Sequence, residues 1–152
     1  MSFEIKALKP QDLEVIYEFE KTRHTHLNDI EKTLMEWKAP WRKESLEHYL
    51  KVSWCMGLYS ETTKELLGYF LAQPMLFVES YTQTLWVEYI GYKETKIGEE
   101  LLDIIYKYSK DKHLQRVLFN NLQIFKEVTP KFQWATTQKG FYEVYTTKMS
   151  AL

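Results

Sequence analysis

The chain has a single cysteine, Cys55, so no disulfide can form within it. One thiol gives neither an oxidised scaffold nor a thiolate metal site, and the expected compartment is the cytoplasm. Glycine and proline are scarce, five and four in 152 residues, which leaves no room for a long linker or a low-complexity tail. No apolar run approaches the roughly 20 residues of a bilayer-spanning helix. The opening Met1-Ser-Phe-Glu-Ile has neither the basic nor the apolar segment of an export signal, so no membrane is expected as a partner. Neither sign of charge dominates: 20 Lys and Arg stand against 21 Asp and Glu, which argues against a dedicated nucleic-acid binder. There is no internal repeat and no metal-ligand spacing.

What is present is a core. Apolar residues make up 45% and aromatic residues 16% of the chain, enough to fill one domain spanning residues 1–152. Charge is uneven along it. Acids outnumber bases from Asp12 to Glu36, and bases outnumber acids from Lys107 onward. The basic half favours an anionic ligand, and a mixed solvated surface is the alternative.

Alternation in Phe3–Leu8 marks a strand. Pro10, Asp12 and Glu14 suit a helix start, and Leu13, Ile16, Tyr17 and Glu20 follow helical spacing to an end near His24. Further helical stretches fall at Ile30–Trp37, stopped by Pro40, and at Lys43–Val52. Ser53–Tyr59 and Glu65–Phe77 form a hairpin through Glu61–Lys64, with Pro74 marking an edge, a bulge or the end of pairing. Thr82–Tyr92 is a strand rich in aromatic and β-branched residues. Ile97–Lys112 is the clearest helix, with Ile97, Leu101, Ile104, Ile105 and Tyr108 on one stripe. Arg116–Phe119 is a short buried strand. Thr129-Pro130 reads as a helix start and Gly140 as its end, which predicts a helix over Pro130–Lys139 and a closing strand over Tyr142–Met149. The order is α/β, a mixed sheet with helices on both faces, and Thr82–Phe119 forms a strand–helix–strand crossover between parallel strands.

The most informative segment is Leu85–Leu102, a strand that runs through a short turn into a helix. Its turn carries Lys93, Lys96 and Gly98. Free N–H groups at a helix start point outward and favour an anion, so this turn is a candidate phosphate cradle.

Lys93-Glu-Thr-Lys-Ile-Gly98, followed by Glu-Glu-Leu-Leu102, resembles the phosphate turn of the GNAT superfamily of N-acetyltransferases. That turn reads Arg/Gln-x-x-Gly-x-Gly/Ala before paired leucines. Lys93 stands at its first position, Lys96 replaces the first glycine and Gly98 keeps the second. Lys139-Gly-Phe141 resembles the family's Gly-Phe before the last strand, and the element order agrees over nearly the whole chain. Pro10 with Asp12, and Pro40-Trp41, resemble the group that acetylates protein N-termini.

The resemblance implies a mostly antiparallel central sheet of six to seven strands and acetyl-coenzyme A as co-substrate. Backbone N–H groups of Lys93, Glu94, Thr95, Lys96, Ile97 and Gly98 would hold its phosphates, with Gly98 allowing close approach. Tyr89, Ile90 and Gly91 would line the pantetheine arm, and Asn120, beside Asn121, would approach the coenzyme unless the pair is a plain turn. Strand alternation puts Glu88, Ile90 and Tyr92 on one face and Val87, Tyr89 and Gly91 on the other. Glu88 is the candidate general base. Thr136 stands where the family places a proton-donating tyrosine, so Tyr142 or Tyr145 is the candidate donor, with simple packing as the alternative. His24 and His26 are either substrate-facing or a surface pair. Trp37, Trp41 and Trp54 line the acceptor cleft or belong to the core, and the loops at Glu79–Gln83 and Lys126–Lys131 complete that cleft. The acceptor is a primary amine, on a small molecule or a protein N-terminus, and a homodimer is left open. Glu94, Lys96 and Thr136 depart from the family pattern. They keep a second reading in play, a non-catalytic binding or regulatory module of the same fold.

Overall fold

The computed structural model describes residues 2–51, 54–78, 81–120 and 122–146. Strand β1 (Phe3–Ala7) leads through a 3-10 turn (Pro10–Asp12) into helix α1 (Leu13–Arg23). The Asp12 carboxylate accepts the Lys9 N–H at 2.8 Å and fixes that entry. Helix α2 (Asp29–Lys38) starts on Asn28, whose side-chain oxygen accepts the Glu31 N–H at 2.8 Å, and stops at Ala39 because Pro40 disfavours helical backbone before it. Helix α3 (Lys43–Lys51) follows. None of the α2 residues is buried, and Ile30, Leu34 and Trp37 are exposed along it.

Strands β2 (Met56–Ser60), β3 (Leu66–Val78) and β4 (Tyr81–Tyr92) form a meander. Helix α4 (Thr95–Asp111) then crosses to β5 (Arg116–Phe119), and the chain closes with a one-turn helix α5 (Ile124–Glu127), β6 (Ala135–Thr136) and β7 (Tyr142–Tyr145). The seven strands lie in the order β1-β2-β3-β4-β5-β7-β6. Every neighbouring pair is antiparallel except β4–β5, the parallel pair that a helical crossover requires.

Alternation in the central strands feeds two cores. Tyr69 and Leu71 of β3 face Ile16, Phe19, Leu46 and Leu50 of α1 and α3. Phe70 and Ala72 face Ile97, Leu101 and Ile105 of α4. Helices therefore cover both faces, as the alternation predicts. Of the expected α4 stripe, Ile97, Leu101 and Ile105 are buried and Ile104 and Tyr108 half-buried, with Asp103 and Lys107 paired at 2.9 Å on the outer side. Full burial of one such leucine stabilises the fold by about 1.5–3 kcal/mol.

The expected helix over Pro130–Lys139 does not form. The helical turn lies earlier, in α5, and Val128 is already extended. Aromatic packing takes the segment instead. Phe132 stacks on Tyr106 at 5.3 Å, and Trp134 meets Phe125 at 5.2 Å and Tyr142 at 5.1 Å, contacts that one helix face does not deliver. Gly140 has φ of 83° and serves the turn between β6 and β7, not a helix end. The Thr137 N–H bonds the Phe141 carbonyl across that turn at 2.8 Å. Strand β7 ends at Tyr145, and the expected extension over residues 147–149 lies outside the described residues, as do Val52, Ser53, Glu79 and Asn121.

Candidate active site

Strand β4 is paired with β3 along its length, but with β5 only from Thr84 to Val87. The Asn120 N–H closes the last link to the Val87 carbonyl at 3.0 Å. Beyond it no pair joins β4 to β5 among the described residues, so that edge of β4 from Glu88 to Gly91 carries no strand pairing. At the same point the β3–β4 register slips: Leu71 opposes Tyr89 while Ala72 opposes Val87, which leaves Glu88 as the extra residue of a bulge.

The bulge overturns the expected alternation. Val87, Ile90 and Tyr92 all enter the α4 core. Glu88 and Tyr89 both turn to the other face. Glu88 Oε2 accepts the Trp86 indole N–H at 2.8 Å and the Asn120 amide at 3.4 Å, and the same indole reaches the Tyr49 hydroxyl of α3. Burial, then the Glu88 charge, pushes the Tyr49 hydroxyl up to about 12. Glu88 and Asn120 are thus brought together at the point where the two strands part.

The turn after β4 opens α4 with Glu94 in extended backbone. The N–H groups of Ile97 and Gly98 both return to the Glu94 carbonyl, at 3.0 and 3.1 Å, and the Lys93 N–H bonds the Leu67 carbonyl. Those of Thr95 and Lys96 have no protein acceptor among the described residues. Lys93, Glu94, Thr95 and Lys96 are exposed, whereas Ile97 and Gly98 are buried. A side chain at Gly98 would meet Ile124 Cδ1 at 3.1 Å and the Tyr92 ring at 3.3 Å, so the missing side chain makes room for protein.

Beside this turn opens a cavity of about 480 Å³ lined by Thr22, Arg23, Tyr92, Lys93, Thr95 and Glu127. Lys93 reaches Glu65 at 3.3 Å and lies over the Phe19 ring. Glu127 of α5 accepts the Tyr92 hydroxyl. Burial, then Glu127, raises the pKa of that hydroxyl.

Under β4 lies a polar cluster that the sequence reading missed. Glu20 is fully buried. Arg23 Nη1 donates to both its oxygens at 2.9 Å, Tyr69 donates at 2.7 Å, His24 lies at 3.2 Å and the Tyr89 hydroxyl at 3.5 Å. Burial and then the Glu20 charge raise the pKa of both tyrosines. Burial lowers the Arg23 pKa, but the charge of Glu20 and the two tyrosines outweigh it and the net shift is upward. A Cβ at Gly91 would overlap Glu20 Oε1 and Tyr69 Cε1, so only glycine lets the carboxylate come this close to the strand. One signal was available: Glu20 is an acid on the apolar spacing of its helix, and a charge there needs a partner.

The other candidates fall elsewhere. Tyr142 stacks on Phe125 at 4.3 Å, on the α5 side of the sheet, while its neighbour Phe141 packs on Trp86. Tyr142 and Glu88 therefore sit on opposite faces. Thr136 is exposed on β6. His24 is tied to Glu20 and stacks on Trp41 at 5.7 Å, while His26 lies 6.3 Å from it. The three tryptophans do not share a cleft: Trp41 is buried, Trp37 is exposed and Trp54 contacts Tyr108 of α4. Cys55 is buried, and burial lifts its thiol to about 11, which makes it a poor nucleophile. Among the described residues no cluster of metal ligands occurs, and no helix is long and apolar enough to cross a membrane.

Neither a protein-family model nor a curated protein matches the chain significantly. Solved structures do. The PaiA N-acetyltransferase of Thermoplasma acidophilum, in complex with coenzyme A, aligns with a TM-score of 0.65 at 19% identity, over 95% of this chain and 99% of that one. The polyamine N-acetyltransferase of Drosophila melanogaster aligns with 0.65 at 10% identity, over 95% and 100%. The ribosomal-protein-alanine N-acetyltransferase of Brucella melitensis aligns with 0.57 at 12% identity, over 90% and 97%. At these identities the likeness is one of fold.

Proposed function

We propose that this chain, which has the fold of the GNAT N-acetyltransferases, moves an acetyl group from acetyl-coenzyme A to a primary amine by direct transfer. The observation that carries the reading is the parting of β4 from β5 after Val87, beside the start of α4. Among the described residues it leaves a strand edge without a pair and, at the helix start, two N–H groups without a protein acceptor, in a fold shared with a coenzyme A complex. The pantetheine arm pairs with the edge at Tyr89, Ile90 and Gly91, and the phosphates lie against Lys93, Glu94, Thr95 and Lys96. Gly98 supports this turn by packing, and Asn120 borders the thioester.

Glu88 is the base of this reading. Its carboxylate is oriented by Trp86 and Asn120 where the β4–β5 pairing ends. The amine nitrogen forms a bond to the thioester carbon, its proton passes to Glu88 directly or through one water, and the C–S bond breaks. The thiolate leaves and takes a proton from solvent or from Tyr142. Solvent is the better supported source, because Tyr142 stacks on the far face. The acceptor is a small-molecule amine or a protein N-terminus.

Thermal melting with acetyl-coenzyme A tests this. Saturation at 100 times the dissociation constant stabilises a binder by about 2.7 kcal/mol. Release of free thiol with an amine panel then reports transfer. No shift at millimolar ligand favours the second reading, a binding or regulatory module. The Glu127 carboxylate in the phosphate-side cavity is the observation on that side.

A further inference from the structure

We infer that Arg23 of α1 is a phosphate ligand of the cavity beside the turn, aimed by Glu20, and that it selects the phosphorylated end of coenzyme A over the neutral arm. The inference rests on the acetyl-coenzyme A reading above and adds a residue outside the turn to it. Arg23 lines the cavity together with Thr22, Lys93 and Thr95. Its Nη1 is engaged by Glu20 and by the Tyr89 hydroxyl at 3.3 Å. Its Nε and Nη2 have no partner among the described residues, and that edge of a guanidinium matches two oxygens of one phosphate.

The guanidinium is held before any ligand arrives. Its side chain is 21% exposed, and Glu20 behind it is 0% exposed and fixed by Tyr69. Rings of Phe19 and Tyr92 flank it, at 5.8 and 5.7 Å from its carbon. Such fixing lowers the ordering cost of binding. Glu20 also cancels most of the long-range field of Arg23. The effect on a ligand is therefore short-range hydrogen bonding with a preference for paired oxygens. Lys93 supplies a point charge at the rim, and Glu127, tied to Tyr92, opposes it. This arrangement offsets the turn's lost glycine, since Lys96 stands where a closer backbone approach was expected.

The test is calorimetry on the whole chain with two probes, coenzyme A and pantetheine, which shares the arm and lacks the phosphates. Arg23→Lys keeps a cation for Glu20 and removes the fork. Glu20→Gln with Arg23→Gln removes both charges together and orphans neither. The expected result is a loss of coenzyme A affinity of about tenfold or more in each variant, the scale of one charge-assisted hydrogen bond, with pantetheine affinity unchanged. Equal loss for both probes, or coenzyme A binding within about twofold of wild type in folded variants, overturns the inference and leaves the acetyltransferase reading intact. If the double variant does not fold, Arg23→Lys decides alone. Wild-type protein that binds no coenzyme A overturns both.

Discussion

The two faces of the sheet solve different problems. On the α4 face, Ile97, Leu101 and Ile105 close on Phe70, Leu85 and Val87, and the carboxylate of Glu127 meets that core only at its rim, through the Tyr92 hydroxyl. On the α1 face, an apolar core made of Ile16, Phe19, Leu46 and Leu50 surrounds the buried carboxylate of Glu20. The first face tolerates any well-shaped apolar residue. The second holds only while each member of a polar set is present, because a buried charge without its partner is far more destabilising than a lost contact. Both the strand edge left unpaired after Val87 and the cavity beside the turn lie toward the end of β4, where the strand also meets that set.

The sharpest way to break the comparison is to remove the carboxylate. Glu20→Ala leaves Arg23 without its ion pair and should cost about 3–5 kcal/mol in denaturant unfolding. Leu101→Ala on the other face should cost about 3 kcal/mol through a cavity, with no orphaned group. If a second substitution, Arg23→Met, recovers much of the first loss, the α1 face fails by charge. If it recovers nothing, the two faces are alike and the contrast is gone.

A smaller effect separates chemistry from packing across the sheet. Glu88→Gln should lower kcat for acetyl transfer about a hundredfold or more while thermal midpoint and coenzyme A affinity stay near wild type. Tyr142→Phe, on the far face, should leave kcat within about twofold, since it removes only a hydroxyl from an aromatic stack. A large kcat loss in Tyr142→Phe would make it the proton donor after all.

The smallest effect is alkaline. Cys55 belongs to the α1-face core, and its thiol is lifted from 9.0 to about 11 by burial. The unfolded chain releases this proton near pH 9 while the folded chain keeps it to about 11, so the stability tied to it is full below pH 9 and is lost as pH rises through that window. The loss reaches about 2–3 kcal/mol. Comparing denaturant unfolding of wild type and Cys55→Ala at pH 8 and pH 11 isolates it. A difference that does not change with pH would show that the thiol contributes only its volume.

How much of this was legible follows the same division. The α4 stripe was readable because apolar residues at 3.6-residue spacing have one meaning when charges occupy the other side. The strand–helix–strand crossover from β4 through α4 to β5 followed from it, whereas β6 had no reading of its own. Glu20 carried a readable signal, since an acid on an apolar spacing demands a partner, and Arg23 stands three residues on along the same helix, but Tyr69 and Gly91 come near only after folding. The false helix at Pro130–Lys139 shows the limit of punctuation. Proline and glycine mark the ends of a helix and the ends of an aromatic loop equally well, and Phe132 and Trp134 decided between them by where they pack. The bulge had no signature. Val87, Glu88, Tyr89 and Ile90 hold apolar neighbours on both faces, so period two could not reveal an added residue.

That added residue has an unusual genetic meaning. With Glu88 left out, Val87 would precede Tyr89 directly, and simple pleating would return Tyr89, Ile90, Gly91 and Tyr92 to the faces they now hold. A three-nucleotide loss at this codon would mend the ladder and spare both cores. A lineage that no longer needed the reaction could shed it in one step and keep its shape, so likeness of shape alone would never report the event.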